Sequence, residues 1–284
     1  MAVPALTESP LKTLKMLCKE TFPCWWKISR KTYRPLPLLR ILVDKGNGES
    51  RALSVPTVRD RLAQPAALNV LEPVFEAQFE QCSYAYRKGH SWQQAVNKVR
   101  EYYDQGYRWV LDADIDAFFD SVPHDRLLDK VKRLILDEDV FNLISLWVKA
   151  EVWDGQQVSC LTQGMPQGSA ISPILANLYL DEFDEELLSK GLCLVRYADD
   201  FVMLGKTQEK VQSATKLTEE VLKRMELQLD EADIVHFDQG FKFLGVVFCR
   251  SMALIPFDRQ KKPRRILYFP PPLDLQTYRR ARQG

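Results

Sequence analysis

No stretch of this chain approaches the roughly 18 consecutive apolar residues that a membrane-spanning helix requires, and its first residues lack the apolar core of a secretory signal. Cysteine is sparse and scattered, at Cys18, Cys24, Cys82, Cys160, Cys193 and Cys249, with no C-x-x-C pair and only three histidines beside it. Those shortages exclude a disulfide framework and a structural zinc site. They predict reduced, mostly buried thiols in a cytoplasmic protein that touches no membrane. Internal repeats and low-complexity linkers are also missing, which excludes solenoids and strings of small domains. What remains is a globular composition, 46% hydrophobic and 27% charged over 284 residues, enough for one large or two modest domains.

The formal charge of +1 is unevenly spread. Residues 11–40 carry eight Lys or Arg against Glu20 and residues 259–284 carry eight against Asp274, so each end is +7 and the remainder is −13. Basic ends around an acidic centre suit a protein that grips phosphates at its periphery and gathers carboxylates at a metal site. Solvated basic tails give the same pattern.

Near the N-terminus, Leu11, Leu14 and Leu17 have helical spacing, and Trp25-Trp26 reads as a pair that packs on a core rather than stacks on bases. Residues 38–56 form a hairpin pattern around Gly46-Asn47-Gly48, with Lys45 and Arg51 flanking the turn. Those cations are either ordinary edge charges or a clamp for a triphosphate. From Thr57, an N-cap, a helix carries Leu62, Ala66, Val70, Val74 and Phe75, and Pro65 and Pro73 predict a kink or a break in it. Ser91 caps a second helix with Trp92, Ala95, Val96, Val99 and Tyr102 on one face. Further helices are predicted at 139–150, 174–188 and 208–227, the second ending in an acidic tail, Asp181 to Glu186, read as a solvated face. His124 fits a turn or cap better than a general base. Tyr268-Phe269-Pro270-Pro271-Pro272 reads as a hinge leading out of the domain.

Three stretches carry the chemistry. Tyr197-Ala198-Asp199-Asp200 lies between the apolar runs 192–195 and 201–204, which puts two adjacent carboxylates at a hairpin tip. Such a pair is either a turn dipeptide or a repelling pair that divalent cations offset. Upstream, Arg108 to Ile115 is a β-like run in which Asp112 and Asp114 share a face. Between them, Gln163-Gly164-Met165-Pro166-Gln167-Gly168 with Ser172-Pro173 makes a fixed loop whose backbone can approach a flat ligand closely. The element order is β-α-β-β-α-β-like, and its antiparallel sheet sets Asp114 beside the hairpin tip. Three carboxylates there suffice for two divalent ions roughly 3.5–4 Å apart, the arrangement of in-line phosphoryl transfer.

With these motifs in this order, residues 38–250 resemble reverse transcriptases of the bacterial group II intron-like lineage. Asp114-Ile115 with Phe118-Phe119-Asp120 is similar to the first catalytic motif, Gln163 to Gly168 to the nucleotide-binding loop, and Tyr197 to Asp200 to the Y-A-D-D signature. Phe241-Lys242-Phe243-Leu244-Gly245 resembles the primer grip, and 53–61 with Tyr86-Arg87-Lys88-Gly89 the fingers motifs. The resemblance implies an α+β fold, the fingers and palm of a right-hand polymerase, with a ferredoxin-like antiparallel palm sheet and a thumb absent or truncated. It divides the chain into a basic extension at 1–37, fingers at 38–107, palm at 108–250 with 152–175 partly fingers-like, and a basic tail or start of a thumb or linker at 251–284.

The implied activity is RNA-directed DNA synthesis, with an RNA template, a DNA or RNA primer and deoxynucleotides as partners. Asp114, Asp199 and Asp200 are the implied catalytic carboxylates. Asp114 and Asp199, the Ile115 carbonyl and, less directly, Asp200 are the implied ligands of two Mg²⁺ ions, for which Mn²⁺ could substitute. Lys45, Arg51, Phe119, Gln167 and Gly168 would meet the nucleotide, with the Phe119 ring against the sugar 2′ position. Phe243, Leu244 and Gly245 would hold the primer, and Arg59, Arg61, Arg87 and Lys88 the template. The chain departs from the family twice. Leu229-Asp230-Glu231-Ala232-Asp233-Ile234 lacks the Lys thought to protonate pyrophosphate, and little chain follows Phe248 for a thumb, which a partner or fused domain would then supply. The short N-terminus, the missing thumb and the proline-rich exit are most similar to reverse transcriptases of CRISPR adaptation modules, whose implied partner is a spacer integrase. Intron, retron and defence-type enzymes stay open, as do a DNA-templated polymerase and a non-catalytic nucleic-acid scaffold.

Overall fold

The computed structural model describes residues 33–44, 50–255 and 266–281. The expectations for Leu11 to Leu17, Trp25-Trp26, Lys45 and the 46–48 turn lie outside the described residues. The described residues divide into two compact units, one of those within 33–71, 132–172 and 266–281, the other of those within 72–131 and 173–255.

In the first unit, Leu38–Asp44 alternates enclosed and partly open side chains, the period of a half-buried strand. It pairs antiparallel with Ser50–Val55, Leu39 opposite Val55 and Asp44 opposite Ser50, as the hairpin pattern predicts. It also pairs in parallel with Glu151–Trp153, which turns into Val158–Cys160. Its remaining edge takes Ile266–Tyr268, with Leu42 opposite Tyr268. That pairing corrects the expected exit hinge. Trp153 Nε1 donates to the Pro271 carbonyl at 2.8 Å, so the proline segment lies back against this sheet.

The helix Val58–Glu76 runs without interruption, so the break expected at Pro65 and Pro73 is not there. Each proline removes one amide donor, while Ala63, Ala67, Leu71 and Phe75, four residues apart, give the helix a continuous buried face. Its start is locked by one carboxylate. Thr57 Oγ1 donates to Asp60 Oδ2 at 2.7 Å and accepts from the Asp60 amide, while Asp60 Oδ1 accepts from the Tyr33 hydroxyl at 2.6 Å. Trp147 Nε1 in turn donates to that hydroxyl at 3.1 Å. Burial first and the Asp60 carboxylate second hold the Tyr33 hydroxyl protonated.

In the second unit, a four-stranded sheet has the order Cys193–Tyr197, Asp200–Gly205, Trp109–Ile115, Leu229–His236, with every neighbour antiparallel. Helices Phe118–Ser121, His124–Leu134 and Ser172–Ser189 follow the Trp109–Ile115 strand, and Gln208–Arg224 links the hairpin to Leu229–His236. This is the α+β, β-α-β-β-α-β palm pattern read from the sequence. His124 is the first residue of its helix and is buried, in keeping with a place at a helix start. Ser91 caps Trp92–Asp104 by accepting from the Gln94 amide, and Ala95, Val96 and Val99 of that helix join Val110, Val195, Val202, Phe237, Phe243 and Phe248 in one core. The strands Phe241–Phe243, Val246–Cys249 and Met252–Leu254 form a separate small sheet. Among the described residues no helix is long and apolar enough to cross a membrane.

Asp60 is 1% exposed and is the acceptor for Tyr33, Thr57 and the Leu36 amide. Its replacement by alanine strands buried donors, so Asp60→Ala is expected to lower unfolding free energy in urea by about 1–3 kcal/mol. A wild-type midpoint would show that this cluster does not hold the helix start.

Candidate active site

Tyr197 stands opposite Asp200 in the hairpin, which leaves Ala198 and Asp199 as a two-residue loop. Ala198 takes φ +64°. A positive φ at the first loop position matches the right-handed twist of the flanking strands but favours glycine there. An alanine held so costs of order 1–3 kcal/mol. Its carbonyl is anchored from below: Arg196 Nη1 donates to the Ala198 oxygen at 2.9 Å. Arg196 is 1% exposed and its guanidinium also forms a fork with Asp184, Nε to Oδ1 at 2.7 Å and Nη2 to Oδ2. Burial opposes the arginine charge, and the Asp184 carboxylate more than offsets that, keeping the group cationic.

Asp184 is fully buried, which corrects the reading of Asp181 to Glu186 as a solvated face. Asp181 also turns inward. Its Oδ1 is enclosed without a hydrogen-bond partner, and burial followed by the Asp184 charge pushes its carboxyl up to about 7. Of the outward acids of that tail, Glu182 pairs with Lys130 and Glu186 with Arg224.

The Trp109–Ile115 strand pairs with Asp200–Gly205 so that Ala113 faces Phe201. Asp114 is the next residue, at the end of the sheet where the hairpin loop carries Asp199, and the pairing with Leu229–His236 shifts register beside it, between Ala113 and Ile115. The carboxylates feel one another there. Partial enclosure, then the Asp199 charge, raises Asp114 to about 6, although the Ile115 amide donates to its Oδ1 at 2.9 Å and opposes the rise. Asp200 is pushed up to about 7 by burial and then by Asp114, Asp112 and Asp199. Asp112, directly opposite Asp233 on the other neighbouring strand, is raised to about 6 by burial and then by Asp233 and Asp114.

Among the described residues, no three His, Cys, Asp or Glu side chains are grouped closely enough to hold a metal ion by themselves. Small hard cations of the kind used in phosphoryl transfer need no such cage, because they are held by one or two carboxylates with water and substrate phosphates. Carboxylates crowded at a sheet end, Asp114 exposed and Asp199 and Asp200 half-buried, fit that donor chemistry.

The other predicted residues divide sharply. In the first unit, Arg51 Nε donates to Gln167 Oε1 at 2.5 Å, so the hairpin cation and the loop amide are together. The loop is held by its neighbours: Ser54 N donates to the Gln167 carbonyl at 2.7 Å, and Gln64 Oε1 accepts from Ser169 Oγ and the Ala170 amide at 3.0 and 2.8 Å. Gly168 has φ +119°, and a Cβ there would meet the Ser54 carbonyl oxygen at 2.8 Å. The close approach that its glycine permits is therefore to Ser54. Arg59 lies over the Tyr33 ring and donates to the Arg34 carbonyl, whereas Arg61 is exposed.

In the second unit, Phe119 is 9% exposed with its ring edge-on to Phe118. Phe243 is in the core, and Leu244 and Gly245, both at positive φ, form the tip of the small hairpin in which Phe243 faces Val246. Lys88 is exposed. Arg87 is not: its guanidinium meets Glu76 and the carbonyls of Phe79, Glu80 and Ser83. With its donors committed and 7% exposure, it clamps its own loop, which corrects its reading as a template contact. The segment without the expected Lys is strand, with Ala232 opposite Ala113 and Asp230 adding to the charge around Asp114. Arg196, Asp184 and Asn177 were not among the predicted site residues. The available signals were an arginine inside an apolar run and two polar residues, Asn177 and Asp184, seven apart and so on one face of the Ser172–Ser189 helix.

Comparison with known proteins agrees with this geometry. Residues 43–248 match the family described as reverse transcriptase (RNA-dependent DNA polymerase). Protein YkfC of Escherichia coli K12 is 32% identical over 75% of this chain and 67% of its own length. The group II intron-encoded protein LtrA of Lactococcus lactis is 28% identical over 78% of this chain, which spans 37% of LtrA. Among solved structures, a Candida tropicalis telomerase bound to a fragment of telomeric RNA superposes with a TM-score of 0.63 at 10% identity, covering 83% of this chain and 48% of that one. A partial Cas6-RT-Cas1–Cas2 complex is 32% identical over 78% of this chain and 37% of that one, with a TM-score of 0.41. The family match spans more than half of the chain and includes the stretch that carries Asp114, Asp199 and Asp200, so this chain belongs to the reverse transcriptase family.

Proposed function

We propose that this chain is the polymerising part of an RNA-directed DNA polymerase that extends a primer with deoxynucleotides, using two Mg²⁺ ions that Mn²⁺ can replace. The observation that carries the reading is the gathering of Asp114, Asp199 and Asp200 at one sheet end, where the Asp199 charge raises Asp114 and the Asp114 and Asp199 charges raise Asp200. The fingers are then 38–107 and the palm 108–250, with 152–175 partly fingers-like. Asp114, Asp199 and the Ile115 carbonyl hold the cations, and Asp200 supports them with its charge. When bound, the cations lower the pKa of the primer 3′-hydroxyl and neutralise the triphosphate. Arg51 and Gln167 contact the incoming nucleotide, and Phe119 excludes a 2′-hydroxyl. Leu244-Gly245 steadies the primer, and Arg61 and Lys88 meet template phosphates. No lysine lies on Leu229–Asp233 to protonate the departing pyrophosphate, so water serves, and general-acid assistance of about 10²-fold is forgone. The proposed template is RNA, in keeping with the family and with a relative encoded in a group II intron. A spacer integrase is the proposed protein partner, on the sequence resemblance.

Primer extension on an RNA template tests this directly. Asp199→Asn and Asp114→Asn should each lower kcat by about 10³-fold or more, since each removes charge that acts on the reacting phosphate; wild-type rates in either variant remove the cation assignment. Phe119→Ala should raise ribonucleotide incorporation at least about 10-fold, the scale of losing a pocket contact. Unchanged sugar selection would place the gate elsewhere.

Protonation gives a further readout. Folding raises Asp114 to about 6 and Asp200 to about 7 from an ordinary 3.8, so the stabilisation from binding those protons is full below 3.8 and lost as the pH climbs through 6 and 7. The cation-free protein should lose thermal stability between pH 5 and 8, by scanning calorimetry at roughly constant ionic strength, and saturating Mg²⁺ should flatten that fall. A slope identical with and without Mg²⁺ would separate these carboxylates from cation binding.

A further inference from the structure

The Ala198-Asp199 loop is held by more than its strand ladder. Beneath it, Arg196 is 1% exposed, and Asp184 and Asn177 are fully buried. The Arg196 fork closes on Asp184, while its Nη1 reaches Asn177 Oδ1 at 3.1 Å and the Ala198 carbonyl at 2.9 Å. Asn177 is fixed in turn, its Nδ2 donating to the Ala85 carbonyl at 2.8 Å. The Arg196 backbone is held as well, its amide donating to the Cys82 carbonyl at 2.8 Å and its carbonyl accepting from Tyr84 N at 3.0 Å. Both ends of the residue are thus fastened, and one hydrogen bond passes from this anchor to the loop.

Two features separate this from ordinary core packing. A buried ion pair is weak evidence of stability, since apolar replacements of similar volume are often as stable or more so; such pairs are better at fixing one arrangement. The arginine charge is also spent on Asp184, and the groups that shift Asp200 are Asp114, Asp112 and Asp199, without Arg196. It reaches the site through the carbonyl of a residue held at φ +64° next to Asp199.

We propose that Arg196 is a positioning residue: locked by Asp184 and Asn177, it pins the Ala198 carbonyl and sets where Asp199 and Asp200 present their carboxylates to divalent cations. The role in catalysis rests on the polymerase reading above, while the role in cation binding does not. Lysine keeps the charge but not the planar fork, and one ammonium cannot serve Asp184, Asn177 and Ala198 in the same geometry.

The test is Arg196→Lys, with Asp184→Asn as its partner variant. In cation-free protein, amide exchange at 198–200 should speed up at least about 10-fold while the 201–204 strand keeps wild-type protection, the pattern of local loosening. Mn²⁺ affinity, read by EPR, should weaken about 10-fold. Extension should lose about 10–10² in kcat, the scale of an ångström-level misplacement, with KM for primer-template unchanged. Folded Arg196→Lys protein with wild-type loop exchange and Mn²⁺ affinity overturns the proposal, as does uniformly faster exchange, which is loss of stability alone. If wild-type protein makes no DNA, the polymerase reading fails, and exchange and Mn²⁺ affinity still decide this one. If neither variant folds, the wild type supplies the measurement. Guanidinium ¹⁵N–¹H signals of Arg196 should exchange slowly and shift with the Asp199 amide as Mg²⁺ is added; an Asp199 shift without an Arg196 shift overturns the coupling.

Discussion

Like charge crowded at the end of one antiparallel sheet is the constraint on which the second unit turns. Asp114, Asp199 and Asp200 stand there, Asp112 and Asp233 oppose each other one step back, and Asp230 adds to the field at Asp114. Like charges directly across a ladder are destabilising, and burial raises the cost of ionising them. The fold sustains the arrangement because strands bearing these acids also carry Val110 and Val202 into a continuous aromatic and aliphatic core. The remaining cost is what a divalent cation arriving with a triphosphate would remove, so an acid-rich sheet end is an asset to an enzyme that binds its metals with its substrate.

The restraints around that end are graded. The hairpin ladder fixes Asp200, and Asp114 lies on a strand where the pairing with Leu229–His236 shifts register, whereas Asp199 lies in the loop above the Arg196 anchor. The same economy recurs in the first unit, where Gln64 and Ser54 hold the 163–170 loop before any ligand is present and Gly168 permits the close backbone contact. Preorganised loops lose little conformational entropy when a substrate arrives, which links these buried polar contacts to binding.

The parts of the fold legible from sequence were those set by local periodicity. Strand alternation placed Asp112 and Asp114 on one face, the two apolar runs placed Asp199-Asp200 at a hairpin tip, and the element order gave the sheet topology that brings them together. What stayed hidden depended on partners distant in sequence or on irregular backbone. Asp184 looked like one more surface acid because its partner is an arginine on another element. Arg87 looked like a phosphate contact because the carbonyls it binds belong to a loop whose course the sequence does not show. Tyr268 looked like the start of an exit, since its pairing with Leu42 spans most of the chain. Pro65 and Pro73 were overruled by the buried stripe of their helix, a case of packing outweighing local propensity.

The central claim is that these carboxylates form a two-cation site completed by the nucleotide. EPR of Mn²⁺ in a complex with RNA template, a non-extendable primer and a matched deoxynucleotide tests it most directly. The account predicts two ions per chain with the magnetic coupling of a pair roughly 4 Å apart, bound weakly before the nucleotide is added and lost in Asp199→Asn. Uncoupled ions, or a coupled pair that survives Asp199→Asn, would contradict it.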